Sequence, residues 1–458
     1  MTGALSIKDR LAAALPAGSL RARLASGAFW SLAGSVGVQA AFAVTSVIVA
    51  RILGKVEFGQ FGMIRNTVLM FSALAGMGLG LTASKYIAEF RVSDPPRAGR
   101  VLGLATAWAA AAGLLIAVGV WVGADFLAER TLKEPALAGY IRICSPMLAL
   151  AAVTGVQTGA LSGLEAFRSM SAWGAAAAVI ASVLTVAGAY LWQLPGALWM
   201  SVLGALVGCA FYQGLLLVLF ARSGLRVDYR RMWQERGVLT GFALPSMLSS
   251  VMMVPVTWAA AAMLARREGG WGELGVFNAA NQWRMLVIML PTAAAQVVLP
   301  LLSSLSAGGE RDRYLRVLRV NAAVNFVAAL AVALPLAVAS PWIMSLYGPG
   351  FRAGWPCLVF LAASAAVYAV LNVVGQAIAS LGRMWWGFAL NLLWAVELLT
   401  ATWLLLPLGA TGLAIAYLVA YGLHAVQVSL YTAVVLRRQV PQGAQPQTAA
   451  PPAAAPAV

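Results

Sequence analysis

An all-helical protein that crosses a membrane many times is the fold class this sequence predicts, and three observations predict it. Of its 458 residues, 61% are hydrophobic and only 10% are charged, too few charges to clothe a water-facing surface of this length. The apolar residues gather into runs long enough to cross a bilayer, which takes roughly 20 residues of helix. The alternation of a transmembrane barrel is absent, and helices are then the remaining way to satisfy backbone polar groups in hydrocarbon. The class is all-α and polytopic, with about twelve transmembrane helices in two pseudo-symmetric six-helix bundles around a central lumen.

Residues 1–23 form a basic leader with Lys8, Arg10, Arg21 and Arg23. It lacks the apolar core and cleavage site of a secretory signal. Apolar spans follow at 27–50, 58–81, 101–123, 139–161, 172–192 and 197–221, and together make an N-terminal bundle over 24–222. A basic linker, 223–236, leads to spans at 238–263, 275–302, 317–340, 356–378, 386–406 and 412–436, the C-terminal bundle over 237–437. The tail, 438–458, is rich in Pro, Ala and Gln, a composition that favours disorder.

The loops carry most of the charge. Lys and Arg number 31 against 15 Asp and Glu, a net charge of +16. Twenty-one of the basic residues lie on the side of the termini and seven on the other, which places both termini in the cytoplasm. They are scattered without interleaved aromatics, so nucleic acid is not the expected partner. Cys144, Cys209 and Cys357 are isolated and show no metal-ligand spacing, and no metal is expected.

An internal repeat runs through the chain. Glu57-Phe58-Gly59-Gln60-Phe61 opens the second span, and Glu273-Leu274-Gly275-Val276-Phe277 opens the eighth. Ala50-Arg51 and Ala265-Arg266 precede them, and Gly196 matches Gly412 at the start of the sixth and twelfth spans. An even number of crossings per unit makes this a parallel repeat about an axis along the membrane normal.

The stretch Gly275–Ser306 is apolar yet carries Asn278, Asn281, Gln282, Arg284, Thr292 and Gln296. At about 100° per residue these six share an arc of about 160°. A guanidinium at that depth costs at least about 2.5 kcal/mol unless it meets water or a partner. One face of this helix is therefore expected to border a wet cavity, with snorkelling of Arg284 to an interface as the bland alternative.

Elsewhere Ser364, Tyr368, Asn372, Gln376 and Ser380 form a polar ladder at a spacing of four, either a neutral path for sugars or glue between helices. Asn321 and Asn325 read as glue. Glu397 is the one acid deep in a span; with Asn391 it is a candidate for a coupling sodium ion or proton, or else half of a structural pair. His424 reads as a packed residue. Arg142 is expected at headgroup level or at the lumen mouth. Gly76, Gly78 and Gly80 permit close packing or bending, and Pro245, Pro255, Pro291, Pro300 and Pro335 permit kinks.

Several stretches resemble the Wzx-type polysaccharide flippases, of the superfamily that also holds the MATE exporters and the lipid II flippase MurJ. They are ARILGKVEFGQFGM, ALSGLEAFRS, GVFNAANQWRMLVIMLPTAAAQVVLPLLSSL, SLYGPGFRAGW and the long run from SLGRMWW to AYLVAYG. The resemblance implies a transporter, not an enzyme: a bacterial inner-membrane flippase that moves an undecaprenyl-pyrophosphate-linked oligosaccharide by alternating access for surface polysaccharide synthesis. It also implies lumen-facing arginines on the second and eighth spans, here Arg65 and Arg284. Arginine suits pyrophosphate because its fork donates paired hydrogen bonds and stays charged. Asn66, Asn278, Asn281 and Gln282 complete the set expected to hold the pyrophosphate, and Tyr368, Asn372 and Gln376 the set expected along the sugar path.

The first span carries Gln39, Thr45 and Ser46 where some lipid II flippases have a basic residue, which weakens a lipid II assignment. A MATE-like drug or cation antiporter is the other alternative, though it needs lumen carboxylates. A glycosyltransferase or polymerase is disfavoured, since Asp125, Glu129 and Glu134 show no paired spacing that suggests catalysis. No cofactor is expected beyond a coupling Na+ or H+. The expected partners are the lipid-linked substrate, membrane lipids and other polysaccharide-assembly proteins, with the chain itself a monomer.

Overall fold

The computed structural model of the protein describes residues 20–76, 78–238, 253–307, 311–380 and 384–439. The leader before residue 20, Pro245 at the start of the expected seventh span and the tail after residue 439 lie outside these residues. So do the side chains of Pro291, Thr292, Gln296 and Pro300.

Every regular element among the described residues is helical. In chain order the α-helices are α1 (Leu20–Gly76), α2 (Leu79–Ser93), α3 (Pro95–Val122), α4 (Leu137–Cys144), α5 (Pro146–Gly163), α6 (Phe167–Arg222), α7 (Met253–Ala265) and α8 (Gly270–Ala307). There follow α9 (Arg311–Val338), α10 (Ser340–Leu346), α11 (Trp355–Ser380), α12 (Met384–Leu405) and α13 (Gly409–Gln439). Seven stretches among them are long and apolar enough to cross a membrane. Large apolar side chains are exposed on most of them, including Leu115, Tyr190, Val338, Trp385 and Trp403. A water-soluble monomer does not display so much apolar surface; this is a membrane protein.

Three of the stretches, at 43, 56 and 48 residues, exceed what one crossing needs, and each turns back on itself. The break in α1 is at Gly54 (φ 73°), and that in α6 at Trp192 and Gln193 (φ 53° at Gln193). Past the α6 break Thr185 and Ser201 meet at 3.3 Å, so its two limbs are antiparallel. Between α12 and α13 the reversal is at Gly409 (φ 62°). A left-handed residue reverses the chain where the helical hydrogen-bond ladder ends.

These turns carry the repeat into the backbone. Positive φ angles pair Gly54 with Gly269, Lys133 with Gly348 and Gln193 with Gly409, at a constant spacing of about 215 residues, as expected for a duplicated unit. The expected second span is interrupted: α1 ends at Gly76, and Gly78 (φ 66°) caps the start of α2, which runs on to Ser93. Gly80 then meets the carbonyl of Gly155, and Gly159 meets Gly80, so this glycine run brings two backbones into contact. Pro335 lies within the continuous helix α9.

One buried core draws on both halves of the chain: Val49, Phe58, Phe61 and Ile64 share it with Leu274, Phe277, Tyr347 and Tyr417. Two further cores stay separate. One lies wholly between Ala75 and Leu225, and the other comprises Leu302, Tyr314 and Ala377. The halves are thus joined at the end that bears the turns. There Gly59 lies so close to Trp271, and Gly275 so close to Lys55, that a Cβ on either glycine would come within 2.0 Å of the facing carbonyl oxygen. Tyr347 locks the same seam. Trp283 Nε1 donates to its hydroxyl at 3.0 Å, Ser46 lies 3.5 Å away, and its ring meets Phe58 and Phe351. Beside it Arg51 Nε donates to the carbonyl of Leu346.

At the opposite end the linker folds back as a strap on the start of α3. The Asp228 amide donates to the Gly99 carbonyl at 3.2 Å, and neither Gly99 nor Gly103 has room for a Cβ beneath the strap. Glu235, 8% exposed, accepts from Arg97 at 3.1 Å and from Arg100 at 3.0 and 3.1 Å. Glu235→Ala is expected to loosen the strap by about 2 kcal/mol, less than for a fully buried pair because Arg97 remains partly exposed. Amide hydrogen exchange over 226–236 should then rise roughly tenfold or more; unchanged exchange would show that the clamp does not hold the strap.

Candidate functional site

Arg65 lies on the second limb of α1, three turns past Gly54. Its guanidinium sits 5.6 and 5.7 Å from the ring centres of Phe42 and Phe61, an arrangement that partly offsets lost hydration. Among the described residues it has no hydrogen bond or ion pair, and its side chain is exposed. What it is exposed to is a cavity of about 360 Å³ between α1, α5 and the second limb of α6. Ser72, Met147, Leu150, Thr154 and Cys209 are also on the wall. Among the described residues no acidic side chain lines this cavity, so the charge of Arg65 has no counter-ion among them there.

Arg284 is placed differently. It is 5% exposed and is not part of that wall. Nη1 donates to Asn281 Oδ1 and Nη2 to the Tyr421 hydroxyl, both at 3.3 Å, and the guanidinium lies 5.2 Å from the ring of Tyr417 and 5.6 Å from that of Tyr421. Tyr421 is itself packed between Trp394 and Tyr368. Nε is buried with no hydrogen-bond partner among the described residues. An aromatic cage therefore holds this arginine inside the C-terminal half, rather than the snorkelling geometry.

The remaining expected residues divide between these settings. Asn278 faces Gly62 at the seam, with its Nδ2 buried and unpaired. Gln282 accepts from Gln39 through its backbone carbonyl at 3.3 Å, linking the first limb of α1 to α8. Asn66 is half-buried and does not line the cavity. In the ladder on α11, Gln376 donates to Asn372 at 2.9 Å, Ser364 bonds to its own helix and Ser380 meets Tyr314 on α9. Tyr368 is the member that reaches toward the Arg284 cage, through Tyr421. Asn325 bonds to Asn321 within its own helix.

Glu397 accepts from Gln427 on α13, while its second oxygen is buried without a partner among the described residues. Asn391 lies six residues earlier, about 120° away around the helix, and the two are not joined. Arg142 pairs with Asp125 and lies over Trp121. His424 is 9% exposed, packed as expected.

The sequence reading missed Tyr417, Tyr421, Trp394 and Tyr347. The spacing of four between Tyr417 and Tyr421 was the available signal, since it puts both rings on one face. The cavity wall on α5 and α6 had none, being made of ordinary span residues.

Comparison with known proteins adds the family. The polysaccharide biosynthesis protein family matches residues 24–306, more than half of the chain. The chain belongs to that family. Curated relatives of this family member include the EPS I polysaccharide export inner membrane protein EpsE of Ralstonia solanacearum, 26% identical over 85% of this chain and 89% of the relative. Another is the succinoglycan biosynthesis transport protein ExoT of Rhizobium meliloti, 26% identical over 78% and 70% of the two chains. The relatives are thus named for transport and export rather than for catalysis. Among solved structures, an inward-facing multidrug resistance MATE family transporter of the MOP superfamily superposes with a TM-score of 0.68. It is 16% identical and covers 87% of this chain and 94% of that one. The lipid II flippase MurJ in an inward closed conformation superposes at 0.67, with 12% identity over 88% and 90%. At these identities the superpositions show a shared fold.

Proposed function

We propose that this protein flips an undecaprenyl-pyrophosphate-linked oligosaccharide across the bacterial inner membrane for export of a surface polysaccharide. The observation that carries the reading is Arg65, a permanent cation on the wall of a cavity with no acidic residue among the described ones. Such a site attracts an anion and repels the cationic drugs that an antiporter of the MATE kind would hold. The family, and the export and transport names of EpsE and ExoT, support polysaccharide as the cargo.

In this reading twelve crossings form two six-helix halves, 24–222 and 237–437, with both termini in the cytoplasm. The seam at Gly59 and Gly275 closes the outer end, and the two separate cores leave the inner end parted, so the headgroup enters from the cytoplasm. Arg65 receives the pyrophosphate. Arg284, with Asn278, Asn281 and Gln282 on the same helix, is the second cationic station, reached when the halves rotate and the cage opens. Tyr368, Asn372 and Gln376 serve the sugar path. The bond from Gln427 favours a structural pair for Glu397 over a coupling-ion site with Asn391.

Reconstitution tests the proposal. Vesicles holding the purified protein and a lipid-linked oligosaccharide with a fluorescent sugar should expose the label to an impermeant quencher on the second leaflet faster than protein-free vesicles. Equal rates, with cationic dye efflux instead, would replace it by the antiporter reading.

A further inference from the structure

The strap between the two halves displays a surface that the transport reading does not use. Arg222, Arg226, Arg230, Arg231 and Arg236 are all exposed, within one short segment. Its two acids are both spent inside the fold. Glu235 is turned under the strap to Arg97 and Arg100, and Asp228 Oδ1 accepts from the amides of Arg230 and Arg231 at 2.9 and 3.1 Å. The outward face is thus left cationic. Contrary to the expectation of basic residues scattered without aromatics, two aromatic side chains stand among these arginines: Tyr229 is 52% and Trp233 55% exposed, the latter edge-on to Trp108 of the membrane helix α3. Tyr and Trp beside basic residues at the end of a membrane helix are the side chains that settle at headgroup depth.

We propose that the strap is a preformed binding surface for anionic phospholipid headgroups of the leaflet it touches. Phosphate geometry favours it, because each guanidinium offers a fork of donors to phosphodiester oxygens. Location favours it too, since the strap leaves α6 directly at the membrane surface and lies against the start of α3. The Glu235 clamp supplies what a disordered basic loop lacks. It fixes the arginines in one array, so that binding does not have to order the segment first. Because the strap is fastened to α3, the lipid it holds would anchor the N-terminal half while the C-terminal half moves.

The test uses the full-length protein in nanodiscs with a photo-crosslinking phosphatidylglycerol, and reads the lipid attached to residues 222–236 by mass spectrometry. Crosslinking to this segment is expected, diluted by unlabelled phosphatidylglycerol and not by phosphatidylcholine. Arg226→Gln with Arg230→Gln and Arg231→Gln should lower it at least about fivefold, the size expected for removing cations at an anionic surface. Glu235→Ala, which keeps all five arginines, should lower it as well. Equal crosslinking of a phosphatidylcholine probe, or an unchanged yield in the triple variant, would overturn the proposal and leave an acidic protein as the better occupant of this face. The readout is lipid attachment rather than transport, so its failure is distinct from failure of the flippase reading.

Discussion

Arg65→Ala is expected to reduce surface polysaccharide by at least about two orders of magnitude while the protein still reaches the membrane at near-normal levels. The magnitude follows from the loss of two charge-assisted hydrogen bonds to phosphate, each contributing roughly 1.5–3 kcal/mol where water is excluded. Normal assembly is expected because Arg65 makes no hydrogen bond or ion pair among the described residues; it lies only over Phe42 and Phe61. Removing an uncompensated cation from such a place costs the fold little. Arg65→Lys should restore part of the activity, since it keeps the charge and loses the fork. Arg284→Ala is a different experiment. It empties an aromatic cage and strands Asn281 and Tyr421, so protein level and export should fall together. Export assayed from the polysaccharide released, beside immunoblots of the membrane fraction, separates the two. Full export by Arg65→Ala would remove the phosphate role assigned to the cavity.

The contrast between these two arginines also shows how far the amino-acid sequence could be read. Helix class and the internal repeat were legible because they rest on local pattern: apolar run length, and Glu57–Phe61 set against Glu273–Phe277. The repeat reappears in the backbone as paired left-handed turns at Gly54 and Gly269, Lys133 and Gly348, and Gln193 and Gly409. A helical wheel put Arg284 and Asn281 together on a face expected to border a wet cavity; the two do meet, but Arg284 is buried in an aromatic cage instead. The cage is built by Tyr417, Tyr421 and Trp394 on helices more than a hundred residues away; the spacing of four puts the two tyrosines on one face, but which residue that face meets is set by long-range packing. The Arg65 cavity was hidden for the same reason, as three helices must be placed before their ordinary side chains enclose a space. Glu397 stood out as a deep acid, yet its partner, Gln427, lies across a helix pair. The strap read as a basic run; that Glu235 was its fastening depended on Arg97, Arg100 and the two glycines beneath it.

Gly59→Ala is expected to open the seam. Its Cβ would stand 2.0 Å from the carbonyl oxygen of Trp271 and 2.9 Å from the amide nitrogen of Gly275. Both are backbone atoms, so no side chain can swing aside, and α1 and α8 must separate. Overpacking of this kind costs roughly 1–3 kcal/mol. In the two-state transport cycle proposed above, that shifts the ratio of the states by about 5- to 150-fold. The shift falls selectively on the joined state, because Gly59 and Trp271 meet only where the seam is closed. Phe58→Cys reports it, since Phe58 is 4% exposed against Tyr347 and Phe351. In that reading, an impermeant maleimide added outside the cell should label Cys at that position at least about fivefold faster when Gly59→Ala is present, and export should slow as the proposed inward-open state is depleted. Gly119→Ala, where a Cβ meets nothing within 4 Å, should leave labelling and export unchanged and so controls for a general effect of the substitution. If Gly59→Ala labels as slowly as its parent and exports normally, the glycine contact is not what keeps the outer end shut.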